Sequence, residues 1–172
     1  MYGKSCGQPV WRLLGGYRDT VPSYADGIGY LDQSPEEVAA EVKEHADLGF
    51  DAIKLHFNRG EPQEVLDKVG CSREVLGPDK KLMIDVFRAW DGKVAIETVR
   101  RLEPYKLYWI EEPVRHDDEL FYMRMVAEAT SAIVAGAEGE GTLYGIRRLI
   151  SEGALQLLQT DILIGGGYTG LM

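Results

Sequence analysis

Residues 81–111 read KLMIDVFRAWDGKVAIETVRRLEPYKLYWIE, and this stretch decides the fold. Lys81 to Asp85 is too short for a helix, and its Leu-Met-Ile run suits a buried strand. Lys93 to Leu102 carries Val94, Val99 and Leu102 on one side, which predicts a helix. Leu107 to Glu111 is again a strand. A strand, a helix and a strand joined by short connections make one β-α unit, with parallel strands covered by helices.

The same cycle continues in both directions. Downstream, the sequence predicts a helix from Asp118 to Ala129 and a strand from Ile133 to Ala137. Thr142 then caps a helix carrying Leu143, Ile146, Leu149 and Ile150, closed by Gly153. A sixth strand follows from Leu155 to Thr160, and Gly165-Gly166-Gly167 opens a turn. Upstream, Tyr24 to Tyr30 reads as a strand entering a Gly-rich loop. Ser34-Pro35-Glu36-Glu37 supplies a cap, a proline at the first helical position and a glutamate three residues after the cap. Val38, Val42 and Ala46 continue that helix to Gly49. Ala52 to Phe57 is a strand, and a helix runs from Pro62 to Leu76 before Gly77-Pro78. A closed eight-unit barrel needs about 250 residues. Six strands in 172 residues therefore fit either an open doubly wound sheet or an incomplete barrel.

Composition narrows the function. The chain is 45% hydrophobic and 27% charged, enough for a core. Its 19 Lys and Arg against 28 Asp and Glu give a net charge of −9, with no basic cluster. Nucleic acid and anionic membrane are poor partners for such a surface. No apolar run approaches the ~20 residues of a membrane helix. Met1 to Val10 has no signal-peptide pattern, and Cys6 and Cys71 make no metal or redox spacing. The expectation is a cytoplasmic protein with two reduced thiols.

The polar residues fall in phase. Asp85, Glu111 and Glu138 each end a predicted strand, 26 and 27 residues apart. Neighbouring strands lie about 4.8 Å apart, so three such carboxylates can converge. Each alone could be an ordinary helix cap. Together they suit a divalent cation, and all-oxygen ligation favours Mg²⁺, with Mn²⁺ as the alternative. Glu112 should point away from Glu111, and Glu140 lies further into its loop than Glu138. Lys54 and His56, two apart on the preceding strand, share a face, while Ile53 and Leu55 face the helices. Asp161, after the sixth strand, is fourth in the same phase.

These residues resemble the mandelate racemase and muconate-lactonising branch of the enolase superfamily. The resemblance rests on Gly7-Gln8-Pro9-Val10-Trp11-Arg12-Leu13-Leu14-Gly15-Gly16, Ala52-Ile53-Lys54, Met83-Ile84-Asp85, Trp109-Ile110-Glu111-Glu112-Pro113, Ala135-Gly136-Ala137-Glu138 and the run from Asp161 to Gly170. It implies an α/β fold, an incomplete TIM-type barrel with about six parallel strands of a modified (β/α)₇β barrel. Residues 1–20 would be a linker entering the barrel and 21–172 a partial barrel domain. A capping domain and the last strands would be absent. By resemblance, Asp85, Glu111 and Glu138 hold Mg²⁺, Lys54 matches the first lysine of a Lys-x-Lys motif, and Asp161 orients a histidine on the next strand. His56 replaces the second lysine, Phe87 stands where many members have Asn, and Ala137 where Gly is common.

The implied chemistry is removal of the proton α to a carboxylate, with the enediolate neutralised by the metal. Enzymes of this superfamily use a Lys or His base with one or two Mg²⁺ ions. Lys54 would stabilise the substrate carboxylate, and His56 would be the base or a contact to a substrate hydroxyl. Because imidazole is also a competent acid for a departing hydroxyl, the leading expectation is a sugar-acid dehydratase acting on a small-molecule carboxylate. A racemase or epimerase comes next, then a cycloisomerase. The whole enzyme is expected to be a homo-oligomer. The rival expectation is a non-catalytic, truncated metal-binding fragment.

Overall fold

A computed structural model describes residues 1–30, 32–57, 60–115 and 119–171. Its centre is a sheet of six parallel strands in sequence order. These are β1 (Ala25–Ile28), β2 (Ala52–His56), β3 (Lys81–Asp85), β4 (Trp109–Glu111), β5 (Ile133–Gly136) and β6 (Leu157–Leu158). Helices α3 (Pro35–Asp47), α4 (Pro62–Leu76), α5 (Gly92–Leu102), α6 (Glu119–Ala129) and α7 (Leu143–Ser151) connect successive strands. Each strand neighbours the next in sequence, the order of a barrel wall, whereas a doubly wound sheet reverses direction at a switch point. Two short helices, α1 (Tyr2–Cys6) and α2 (Val10–Leu13), precede the sheet without a buried residue, and α8 (Gly167–Leu171) follows it.

The helix starts follow from local chemistry. Ser34 Oγ accepts from the Glu37 N–H at 3.2 Å, and Glu37 Oε2 accepts from the Ser34 N–H at 2.7 Å, a reciprocal capping box. Asp91 Oδ1 accepts from the N–H groups of Lys93 and Val94, both at 3.0 Å, and Thr142 caps Gly145 at 3.0 Å. The predicted start of α6 at Asp118 lies outside the described residues.

Alternation along the strands gives the sheet two different faces. Ile53, Leu55, Ile84, Ile110 and Val134 are fully buried against the helices. Truncating Ile84 or Ile110 to Ala should cost about 2–5 kcal/mol. On the opposite face Met83, Trp109 and Ala135 form a second cluster with Tyr24 and Leu157. That face would line the barrel, and the polar residues lie above its apolar floor.

The end where the strands begin is stapled. Arg73 donates Nε to the Tyr105 carbonyl at 2.8 Å, Nη1 to the Gly77 and Lys80 carbonyls at 2.8 Å each, and Nη2 to the Lys106 carbonyl at 3.1 Å. Lys80 Nζ donates to the Phe50 carbonyl at 2.8 Å and the Ala46 carbonyl at 3.3 Å. Two side chains thus satisfy carbonyls in the loops before β2, β3 and β4.

The outer strands are shorter than the sequence predicts. β1 spans Ala25–Ile28 within the expected 24–30, and β6 keeps only Leu157–Leu158 of the expected 155–160. β6 pairs on one side only among the described residues, with Gln156 N–H bonded to Val134 O at 3.0 Å and Gln159 N–H to Gly136 O at 2.8 Å. Without a second neighbour the ladder ends there, so Asp161 does not end a strand. Cys6 is exposed and Cys71 half-buried, both as free thiols. Among the described residues no helix is long and apolar enough to cross a membrane.

Candidate active site

Lys54 is the centre of the polar cluster. It leaves β2 toward the barrel face, where Ile53 and Leu55 on either side take the helix face. Lys54 is 4% exposed. Its Nζ donates to Glu111 Oε2 at 3.0 Å and lies 3.5 Å from Asp26 Oδ2 and 3.8 Å from Asp85 Oδ2. It also stands over the Tyr24 ring, 5.6 Å from the centroid. Burial alone would lower its pKa. The charge and hydrogen bond of Glu111, then Asp26 and Tyr24, outweigh burial and hold the ammonium well above the ordinary lysine range. Lys54 is therefore a fixed cation, unable to act as a base near neutrality.

Asp85 and Glu111 are cross-strand partners at the ends of β3 and β4, and both are buried. Burial, and then the Glu111 charge, push the Asp85 carboxyl up to about 6 against the pull of the Phe87 N–H, His56 and Lys54. The Phe87 N–H bond to Asp85 Oδ1 is 2.9 Å long. His56 Nε2 lies 3.2 Å from Asp85 Oδ2 and 3.8 Å from Asp26 Oδ1. Tyr30 stacks on the imidazole at 4.8 Å, and His56 Nδ1 is buried without a partner among the described residues.

The remaining expected residues are placed differently. Glu138 lies in the turn two residues past β5, half-buried, after Ala137 at φ +79°. Among the described residues no three His, Cys, Asp or Glu side chains are gathered as a metal cage. The structure thus brings Asp85 and Glu111 together, with the Lys54 ammonium reaching both, while Glu138 stands in the adjoining turn. Asp161 lies three residues beyond β6, and its Oδ1 accepts from Leu163 N–H at 2.6 Å in its own turn. Glu112 leaves β4 on the helix side, where it pairs with Arg88 at 2.7 Å. Phe87 is exposed.

The sequence reading missed Asp26, Tyr24 and Tyr30. Tyr24 and Asp26 are two apart and so share a face, and the register of Ala25 with Ile53 sets Asp26 beside Lys54. That alternation was the available signal. The short β1, with Gly27 and Gly29 at positive φ, hid it.

Asp85 and Glu111 supply two neighbouring carboxylates of the kind a divalent cation takes, with Glu138 in the adjoining turn. Asp26, Asp85 and Glu111 stand around a single ammonium, and the Asp85 carboxyl is raised first by its burial and then by the Glu111 charge. All the oxygen donors are of the hard type that Mg²⁺ and Mn²⁺ prefer.

Comparison with known proteins bears on the fold and the family. The enolase C-terminal domain-like family matches residues 37–172. A 3,6-anhydro-alpha-L-galactonate cycloisomerase of Streptomyces coelicolor is 39% identical over 165 residues, covering 94% of this chain and 44% of its own. A D-galactonate dehydratase of Pectobacterium atrosepticum is 33% identical, covering 97% of this chain and 45% of its own. The crystal structure of a racemase from Streptomyces coelicolor A3(2) with bound magnesium superposes with a TM-score of 0.86 at 35% identity, over 95% of this chain and 45% of that one. The chain spans less than half the length of these relatives. By its six-stranded parallel barrel wall and its family match, the chain belongs to the enolase C-terminal domain-like family, among proteins of the mandelate racemase type.

Proposed function

We propose that this chain carries half of a site that removes the proton α to a carboxylate and eliminates a β-oxygen from a sugar acid. The observation that carries the reading is the fixed Lys54 ammonium at the strand ends, beside His56 and between Asp26, Asp85 and Glu111. A carboxylate substrate needs a cation that stays charged, and Lys54 is one. The proton-moving group on this face is then His56, because an imidazole nitrogen can accept a proton and later give it up, whereas the locked ammonium has no lone pair to accept one. Asp85, Glu111 and Glu138 would hold Mg²⁺, which when bound offsets the charge of the developing enediolate. Asp161 would orient a histidine supplied by the rest of the barrel.

Dehydration of a sugar acid is the leading reading, supported by the dehydratase relative. A second reading, cycloisomerisation, is favoured by the 39% identity to the cycloisomerase. Both begin with loss of the α-proton. In the first the β-oxygen leaves as water. In the second a ring ether opens and its oxygen stays in the product. Incubating the whole protein with acid sugars and their 3,6-anhydro forms, in D₂O with Mg²⁺, separates them by product mass. Loss of water supports the first reading, and a product that keeps every oxygen and gains one carbon-bound deuterium supports the second. Deuterium at the α-carbon of recovered substrate, without either product, would instead identify a racemase or epimerase. No exchange and no product would overturn the proposal.

A further inference from the structure

Glu112 and Arg88 take no part in the site just described, yet they join its three strand ends. Glu112 is 1% exposed and lies on the helix side of the sheet. Its Oε2 accepts from Arg88 Nε at 2.7 Å, and its Oε1 from the Glu138 N–H at 3.1 Å. Its backbone is tied as well. The Glu112 carbonyl accepts from the Arg88 N–H at 2.7 Å, and the Glu112 N–H donates to the Ala135 carbonyl at 3.0 Å. One residue therefore bonds to the segment after β3, to β5 and to the turn after β5.

The backbone is contorted to allow this. Arg88, Glu112 and Ala137 have φ of +60°, +47° and +79°, a left-handed region that residues with a Cβ adopt only at a steric cost. A Cβ added to Gly136 would stand 3.2 Å from Glu112 Oε1, so the carboxylate passes close beneath a position without a side chain. The ion pair is also costly, since both charges leave water and Arg88 Nη2 is buried without a hydrogen-bond partner among the described residues. Contortion and a buried charge together mark a built feature rather than surface decoration.

We infer that Glu112 and Arg88 form a positioning clamp, which fixes Glu138 relative to Asp85 and Glu111. Arg88 follows Asp85 by three residues, Glu112 follows Glu111 by one, and Glu112 holds the backbone N–H of Glu138 itself. The Glu112 carboxylate is taken up by Arg88 and the Glu138 N–H. The clamp sets the spacing of three carboxylates from behind the sheet. This rests on the reading of those three residues as the metal ligands.

The test uses two double variants that remove both charges, so that neither partner is left buried alone. Arg88→Met with Glu112→Met leaves the Glu138 N–H without its acceptor. Arg88→Met with Glu112→Gln keeps an amide oxygen there. Mg²⁺ titration calorimetry and amide hydrogen exchange are measured on the whole protein. The Met pair should weaken Mg²⁺ binding about 10–100-fold, the usual effect of losing a partner that orients a ligand. It should also speed exchange at Glu138 about tenfold, with Ile84 and Ile110 still protected. The Gln pair should restore most of both. Wild-type affinity in the Met pair, or unchanged Glu138 exchange, would overturn the clamp. So would failure of both variants to fold, which would make the pair an element of global stability. If the wild-type protein binds no Mg²⁺ through Asp85, the metal reading fails, and Glu138 exchange alone decides whether the clamp exists.

Discussion

Asp85→Asn in metal-free protein isolates the cost of burying a carboxylate beside Glu111 at the strand ends. The folded carboxyl sits at about 6 against an unperturbed 3.8. An acid whose pKa is raised on folding holds its proton longer in the native state than in the unfolded one. Native protein thus binds more protons between these two values, and stability falls as pH rises through that window. A pKa difference of about 2 corresponds to about 3 kcal/mol, felt in full above pH 6 and absent below the unfolded pKa. The introduced amide keeps an oxygen for the Phe87 N–H and cannot ionise. In EDTA the Asp85→Asn protein should match wild type near pH 4 and exceed it by up to about 3 kcal/mol at about pH 8. Mg²⁺ should reverse the order. At about a thousand times its dissociation constant it would stabilise wild type by about 4.1 kcal/mol, and the variant by far less. Urea unfolding followed by the fluorescence of buried Trp90 and Trp109 reads both effects. A variant less stable than wild type at alkaline pH in EDTA would refute the argument from burial and the Glu111 charge. Equal Mg²⁺ stabilisation of both proteins would refute Asp85 as a ligand.

Other perturbations test other parts. Lys54→Met leaves Asp85 and Glu111 buried without their shared counter-charge, so it should cost about 3–5 kcal/mol and abolish turnover, measured by denaturation and product assay. His56→Gln should slow β-oxygen loss by about 10²-fold or more, read by product formation under saturating substrate. Ala137→Gly relieves a left-handed alanine and should raise stability by about 1 kcal/mol in urea titrations. β1 and β6 are not paired to each other among the described residues, and open edges template association. The 172 residues expressed alone should therefore self-associate and lack turnover, and a monodisperse, active monomer in sedimentation velocity would contradict this.

The repeating strand and helix were legible because each carries its own local signature. The caps at Ser34 and Thr142 and the apolar runs at 82–84 and 133–134 need no tertiary context. Lys54, Asp85 and Glu111 were legible because alternation fixes which face a strand residue takes. Legibility ended where strands end. Glu138 and Asp161 were read as strand-terminal, but Ala137 turns left-handed and β6 stops after two residues. Backbone conformation beyond a strand depends on neighbours that periodicity does not record. Glu112 was assigned the correct face. Its bond to Glu138 could not be read, because it joins residues 26 positions apart through a turn of no regular type.

The carbonyl staples of Arg73 and Lys80 sit at the opposite end of the strands from Lys54 and the carboxylates. This division of labour bears on how such a chain changes over evolutionary time. The end that anchors the frame uses backbone acceptors, which no substitution in the upper loops can remove. The end proposed to meet substrate can exchange side chains at positions such as Asp26, His56 and Phe87 without drawing on the same bonds. New specificities can then accumulate there while the lower rim keeps the wall intact. The diversity of reactions among relatives of one architecture is what such a separation permits.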